Sequence, residues 1–260
     1  MLKKRLIGVV TVKEGWAVQS FGYSRYLPLG RPECLVENLD RWGADEILVQ
    51  CIDRSAHAKG PDFQLLEKLA QLGLGTPLIY GGGIRTVDDG VRVVQAGADR
   101  IAIDALLHDD RQVLSELGQQ LGVQALIASI PVAMSANTLQ WYDYRSKALG
   151  SIEALADIVE QKMVSEVLLI DYLHEGHAAG FDAVLADAFD FGELPLLLFG
   201  GISTPRQMQN FLAMPKVVAV AVGNFLSYRE LAIQQFKNAL ERSTFRPPMY
   251  ATEHSFLSND

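Results

Sequence analysis

Eight short apolar runs punctuate the chain, and the stretches between them are amphipathic. The runs at 5–10, 46–52, 77–80, 100–103, 124–130, 166–170, 195–199 and 217–222 are near-continuous in apolar residues. Strands covered on both faces read this way. Helical spacing predicts helices over 33–42, 62–72, 87–96, 111–121, 152–162, 182–191, 205–213 and 228–240. Strict alternation of eight strands with eight helices predicts an α/β fold, an eight-stranded parallel (β/α)8 barrel. A doubly wound open sheet is the alternative. Two connections break the rhythm. Residues 11–32 carry Gly15, Gly22, Pro28 and Gly30 and predict a loop or hairpin. Residues 131–150 are irregular, with a hairpin placed around Trp141 to Tyr144. No composition shift divides the chain, so one domain is expected over 1–260, with the barrel over about 5–242 and a loose polar tail after Arg242.

The pattern has an internal echo. Leu78-Ile79-Tyr80-Gly81-Gly82-Gly83-Ile84-Arg85-Thr86 reads as strand, glycine turn and helix start, with Thr86 a predicted N-cap and Asp88 and Asp89 in the first turn. Leu198-Phe199-Gly200-Gly201-Ile202-Ser203-Thr204-Pro205 has the same order. Gly82 and Gly200 are 118 residues apart, and so are Ala105 and Gly223, each just past the next predicted strand. Paired offsets imply a duplicated half-barrel and favour closure over an open sheet.

Composition narrows the class of function. Of 260 residues, 49% are hydrophobic and 21% charged, a globular balance. A formal charge of -8 argues against nucleic acid or an anionic membrane as partner. Lys3, Lys4 and Arg5 precede an apolar run that stops at Lys13 without a small-residue cleavage site, so no signal peptide is expected, and no stretch is long enough for a membrane span. Cys34 and Cys51 share no spacing motif and suggest a reducing, cytoplasmic setting. No cofactor or metal is implied; His174 and His177 read as residues of a Gly-rich loop.

In such a barrel the chemistry sits at the C-terminal ends of the strands. Those positions are Thr11, Asp53, Gly82, Asp104, Pro131, Asp171, Gly201 and Gly223-Asn224. Gly82 and Gly83 with Asp104 and Ala105 form one candidate phosphate half-site; Gly201 with Gly223 and Asn224 forms the other. The carboxylate of Asp104 would repel phosphate, which favours the second. Asp53 and Asp171, from strands two and six, are either an acid–base pair across the mouth or loop anchors. At the other end, Arg5, Glu46, Arg100 and Glu166 each open a predicted strand, which sets two cations and two anions around the barrel floor. Desolvated ion pairs stabilise poorly, so such a ring invites a second role, as a gate.

The segments Met1 to Ile7, Lys13-Glu14-Gly15, Gly43-Ala44-Asp45-Glu46, Gly81 to Arg85, Gly97-Ala98-Asp99-Arg100, Glu166 to Asp171, Gly180-Phe181-Asp182 and Gly200-Gly201 resemble the cyclase subunit of imidazole glycerol phosphate synthase over nearly the whole chain. The resemblance implies a twofold-repeated barrel that takes ammonia from a glutaminase subunit docked at its floor, with the charged ring as the ammonia gate. Arg5, Glu46 and Glu166 match that gate, and Arg100 stands where the family has Lys.

Other positions depart from the family. Its two essential aspartates end strands one and five, where this chain has Thr11 and Pro131, neither able to act as a carboxylate acid or base. The phosphate turn after strand four reads Asp104-Ala105, and the loop after strand six holds His174-Glu175-Gly176-His177. The resemblance therefore implies a retained channel where the cyclase aspartates are absent. Gly22 to Glu33 and Trp42 to Glu46 look more like the paralogue branch that serves acetamidino (amidine) modification of surface-glycan sugars. That resemblance implies a glutaminase and an ATP-dependent sugar amidotransferase as partners, and a sugar or phosphorylated small molecule as substrate. The alternatives are a genuine cyclase with acid and base relocated to Asp53 and Asp171, and a non-catalytic scaffold that activates the glutaminase.

Overall fold

The computed structural model describes residues 3–144, 146–190 and 192–240. Eight parallel strands close on themselves: Arg5–Lys13, Glu46–Cys51, Leu78–Gly81, Arg100–Ile103, Leu126–Ser135, Glu166–Asp171, Leu196–Phe199 and Val217–Val222, here numbered one to eight. Each pairs with the next, and strand one pairs with strand eight through Arg5↔Ala219 and Ile7↔Ala221. The fold is a (β/α)8 barrel. The predicted tail after Arg242 lies outside the described residues.

Alternation along each strand sorts side chains between two cores. Ile7, Leu48, Ile79, Ala102, Ile127, Leu168, Leu197 and Ala219 belong to the cluster that fills the lumen, and Val9, Ile170, Phe199 and Ala221 lie further along the same strands. Their neighbours, such as Leu6, Ile47, Ile101 and Leu169, pack outward under the helices.

The two glycine turns are built alike. Gly82 and Gly200 have φ +124° and +109°, and a Cβ on either would meet the carbonyl of a residue at the end of the adjacent strand, Cys51 O at 2.3 Å or Asp171 O at 2.4 Å. Only glycine fits, at equivalent points of the two halves. Thr86 caps the helix Val87–Gln95 in a reciprocal capping box with Asp89, and Thr204 caps Pro205–Ala213.

The irregular connections are two antiparallel additions. After strand one the chain forms the hairpin Trp16–Phe21 and Arg25–Gly30. Strand five runs on to Ser135, turns at Ala136-Asn137 and returns as Thr138–Asp143, followed by Ala148–Ser151. The expected hairpin around Trp141 to Tyr144 is present, with Trp141 to Asp143 paired to Ala148 to Gly150, and a further hairpin precedes it. Ala136 and Asn137 both have positive φ, as a two-residue hairpin turn demands, and Trp141 is buried mid-strand opposite Val132. The helix expected over 152–162 begins as a 3-10 turn, Ile152–Leu155, before Ala156–Glu160. The last helix starts at Ala232 because Leu231 adopts a left-handed conformation.

Candidate functional site

At the floor, the structure brings together the four charges that the sequence placed at strand starts. Arg5 Nη1 lies 3.0 Å from Glu46 Oε1 and its Nη2 2.6 Å from Glu166 Oε1. Arg100 Nη1 reaches Glu166 Oε2 at 2.6 Å and Glu46 Oε1 at 3.5 Å. Each arginine bridges both glutamates, so the ring alternates in sign and is neutral as a unit. Arg100 is further held by Gln124 O and Ser165 Oγ.

The residues ahead of the ring explain its precision. In Gly43-Ala44-Asp45-Glu46, the Asp45 amide donates to Leu6 O and its carboxylate accepts from the Leu6 amide at 2.8 Å. In Gly97-Ala98-Asp99-Arg100, Asp99 clamps Leu78 in the same two ways, with its carboxylate 2.7 Å from the amide. Each aspartate pins the neighbouring strand, and the residue after it turns into the lumen. Asp45 is also paired with buried Lys237 at 2.7 Å.

At the mouth lies a cavity of about 520 Å³. Its walls come from both hairpins (Tyr23 and Tyr26; Tyr142 and Tyr144) and from strand ends two to six, with Gln50, Asp104, Ser129 and Pro131. Its base reaches Leu48, Ala102 and Leu168, each two residues along the strand from Glu46, Arg100 or Glu166. One lumen layer therefore separates the cavity base from the charged ring.

Of the first half-site, Gly82 and Asp104 line this cavity. The Gly83 amide donates to Ser55 Oγ (2.9 Å), which in turn donates to Asp104 Oδ1 (2.9 Å), and the Ala105 amide reaches the same oxygen at 2.7 Å. Burial raises the pKa of Asp104, while the Ser55 and Ala105 donors pull it back. The second half-site is covered. Gly201, Gly223 and Asn224 border a remnant of only about 10 Å³ beneath Glu175 and Gly176, scarcely the size of one water. Asn224 bonds both backbone groups of Ser20. The Glu175 carboxylate is buried, accepts from Ser20 Oγ (2.8 Å) and the Tyr23 amide (3.3 Å), and is raised in pKa by that burial.

Asp53 and Asp171 are not brought together in the cavity. Asp53 lies on the short helix Ile52–Ala56 with its carboxylate 3.8 Å from Lys59 Nζ. Asp171 is fully buried and accepts from the His174 amide (3.2 Å), pairs with His174 Nδ1 (2.7 Å) and accepts from the Asp182 amide (2.8 Å). This is the geometry of a loop anchor. Thr11 is buried, whereas Pro131 borders the cavity.

Sequence reading missed Ser55, Glu175, Gln50 and the tyrosines of the two hairpins, along with His108, which lines the cavity and stacks on Trp141 at 3.8 Å between centroids. Only the cluster of aromatic residues in two Gly-punctuated connections could have signalled the walls. Among the described residues no group of His, Cys, Asp and Glu could hold a metal, and no helix is long and apolar enough to cross a membrane.

Comparison with known proteins agrees with the geometry. Residues 5–232 match the family described as histidine biosynthesis protein. The chain is 31% identical over 206 residues to a Campylobacter jejuni protein provisionally named imidazole glycerol phosphate synthase subunit hisF2, covering 79% of this chain and 82% of that one. It is 28% identical over 246 residues to a Vibrio vulnificus protein of the same provisional name, covering 92% and 90%. It is 26% identical over 243 residues to the imidazole glycerol phosphate synthase subunit HisF of Natranaerobius thermophilus, covering 92% and 96%. With a matched family spanning most of the chain and a closed barrel of the expected kind, this protein belongs to the histidine biosynthesis family as a barrel of the HisF type.

Proposed function

We propose that this barrel receives glutamine-derived ammonia from a glutaminase docked at its floor and delivers it through the lumen to a sugar, for amidine formation in surface-glycan synthesis. One observation carries the reading. The mouth cavity descends to Leu48, Ala102 and Leu168, one lumen layer above the Arg5–Glu46–Arg100–Glu166 ring, so a small neutral molecule would have only one gate and one apolar layer to pass. Ammonia suits that path because it is small and uncharged, whereas ammonium would place an unpaired charge in the apolar layer.

The mouth supports an acceptor other than the cyclase substrate. Thr11 and Pro131 offer no carboxylate at the ends of strands one and five. An ATP-dependent sugar amidotransferase would then convert the acetamido oxygen to a phosphate or adenylate ester; ammonia would add at that carbon, the C–O bond would break with the oxygen leaving on the phosphate or AMP, and the surplus proton would pass to a nearby base.

The test uses the full chain with its glutaminase and amidotransferase, glutamine labelled with ¹⁵N in the amide, and excess unlabelled ammonium. Label retained in the amidine product supports conduction through the barrel. Label diluted to the bulk ratio refutes it. Turnover of the histidine-pathway cyclase substrate with ammonium salt alone would replace this reading with a working cyclase.

A further inference from the structure

Neither end of the mouth presents the free amides of a phosphate-binding turn: a carboxylate stands at one and a loop covers the other. At strands three and four, the Gly83 amide is committed to Ser55 Oγ and the Ala105 amide to Asp104 Oδ1. Asp104 lines the cavity, so its charge faces any ligand there. At strands seven and eight, the loop carrying Glu175 lies over Gly201 and Gly223, and its carboxylate is tied to the first hairpin through Ser20 and Tyr23. The backbone adds a further tie, from the Gly22 amide to Glu175 O at 2.9 Å.

The walls between these ends have a different chemistry. Tyr23, Tyr26 and Tyr142 supply ring surface, while Gln50 and Ser129 supply polar groups that both donate and accept. The Gln50 amide already accepts from the Tyr23 hydroxyl at 3.4 Å, which fixes one wall against another. A cavity of about 520 Å³ with such walls is of ordinary small-ligand size.

We infer that the mouth binds a polyhydroxylated ring bearing no phosphate at its strand-four end, with Asp104 accepting a hydrogen bond from a hydroxyl or amino group of the ligand. A phosphate at that end would meet a like charge in a partly desolvated pocket and find its amide donors taken. The inference stands on the mouth alone and holds whether or not ammonia reaches the ligand.

The test is saturation-transfer NMR on the full chain with a panel of monosaccharides and their 6-phosphates at millimolar concentration, together with inorganic phosphate. Each pair differs by one phosphate, so the ratio within a pair reads the site. The expected result is that at least one neutral sugar binds, and binds about tenfold or more tightly than its phosphate. In Asp104→Asn, which keeps the acceptor for Ser55 and Ala105 but loses the charge, that ratio should shrink. Tighter binding of any 6-phosphate to the wild type, or binding of no neutral sugar in the panel, overturns the inference. So does an unchanged ratio in a folded Asp104→Asn variant. If that variant does not fold, the wild-type ratios decide alone. The outcome is independent of labelled-ammonia transfer, so failure here is distinguishable from failure of the proposed conduit.

Discussion

The floor ring predicts a coupling energy that an ordinary surface ion pair would not show. Its four side chains are only 7–14% exposed, and every charge touches two of opposite sign. Replacing Glu166 with Gln keeps the shape but leaves Arg5 and Arg100 sharing Glu46 alone. Removing one partner of a fully buried pair costs about 3–5 kcal/mol; residual water contact at the floor lowers the expectation to about 2–3 kcal/mol. Part of that is lost pairing and part is desolvation of what remains, so a double-mutant cycle is needed. Arg100→Met, Glu166→Gln and the double variant should be unfolded in urea, with ΔG taken from midpoints at constant m. The Arg100 bonds to Gln124 and Ser165 cancel in the cycle because both arms lose them. A coupling of about 1.5–2 kcal/mol, little changed by added salt, is expected for a closed ring. A coupling below about 0.5 kcal/mol, the level of exposed pairs, would refute the claim that these charges close the floor as a unit.

Three further outcomes follow from the geometry. Gly82→Ala and Gly200→Ala should each destabilise the fold by about 3 kcal/mol or more in thermal melts, because a Cβ would collide with Cys51 O or Asp171 O at a positive φ; a small loss at either would break the equivalence of the two halves. Ala102→Leu should project into the cavity base, costing at most about 1–3 kcal/mol of stability while abolishing glutamine-dependent amidation and sparing reaction with free ammonium at the mouth; equal loss of both would argue against conduction. Burial raises the pKa of Glu175 in the folded state, so its contribution is present below the ordinary carboxylate range and is lost as pH rises through the folded value. Glu175→Gln should therefore gain in melting temperature relative to the wild type as pH rises from about 4 to about 7, and a constant difference would count against a buried ionisable latch.

The floor was legible in the sequence and the mouth was not, and the reason lies in how each is built. Every ring residue opens a strand, and strand starts are visible where an apolar run begins. Gly43-Ala44-Asp45 and Gly97-Ala98-Asp99 announce two of them, since the helix must end, a small residue must tuck in and the aspartate must clamp the strand beside it. Strand order and closure were likewise readable from eight apolar runs and the 118-residue offset. The mouth walls come from two hairpins that the sequence signals as hairpins, at Gly22 and around Trp141 to Tyr144, without showing which of their side chains face the cavity. Ala136-Asn137 is a two-residue turn with only one favoured residue, and Leu231 takes a left-handed conformation that nothing in its type predicts. Asp171 was recognisable as a strand-end carboxylate, but its commitment to His174 and Asp182 depends on a loop that folds back eleven residues later.

The floor and the mouth of the barrel are built under different constraints. Closing the lumen requires residues that pair with each other, so the ring of Arg5, Glu46, Arg100 and Glu166 constrains itself, and a change in one member is felt by two others. No such mutual constraint holds at the strand ends, where neither Thr11 nor Pro131 carries a charge to pair and the half-sites are filled from different loops, one by Asp104 of strand four's own turn and the other by Glu175 of the loop after strand six. The two fillings are unrelated in sequence although the turns beneath them, at Gly82 and Gly200, share the same left-handed backbone and the same close approach to a strand-end carbonyl. The shared turns are what a duplicated half-barrel predicts, and what covers them differs between the halves. Asp104 sets a carboxylate at one end of the mouth and the Glu175 loop covers the turn at the other, while Leu48, Ala102 and Leu168 border the base of the cavity. Under the proposed conduction, a carboxylate at the mouth would bear on the acceptor and not on ammonia, which carries no charge.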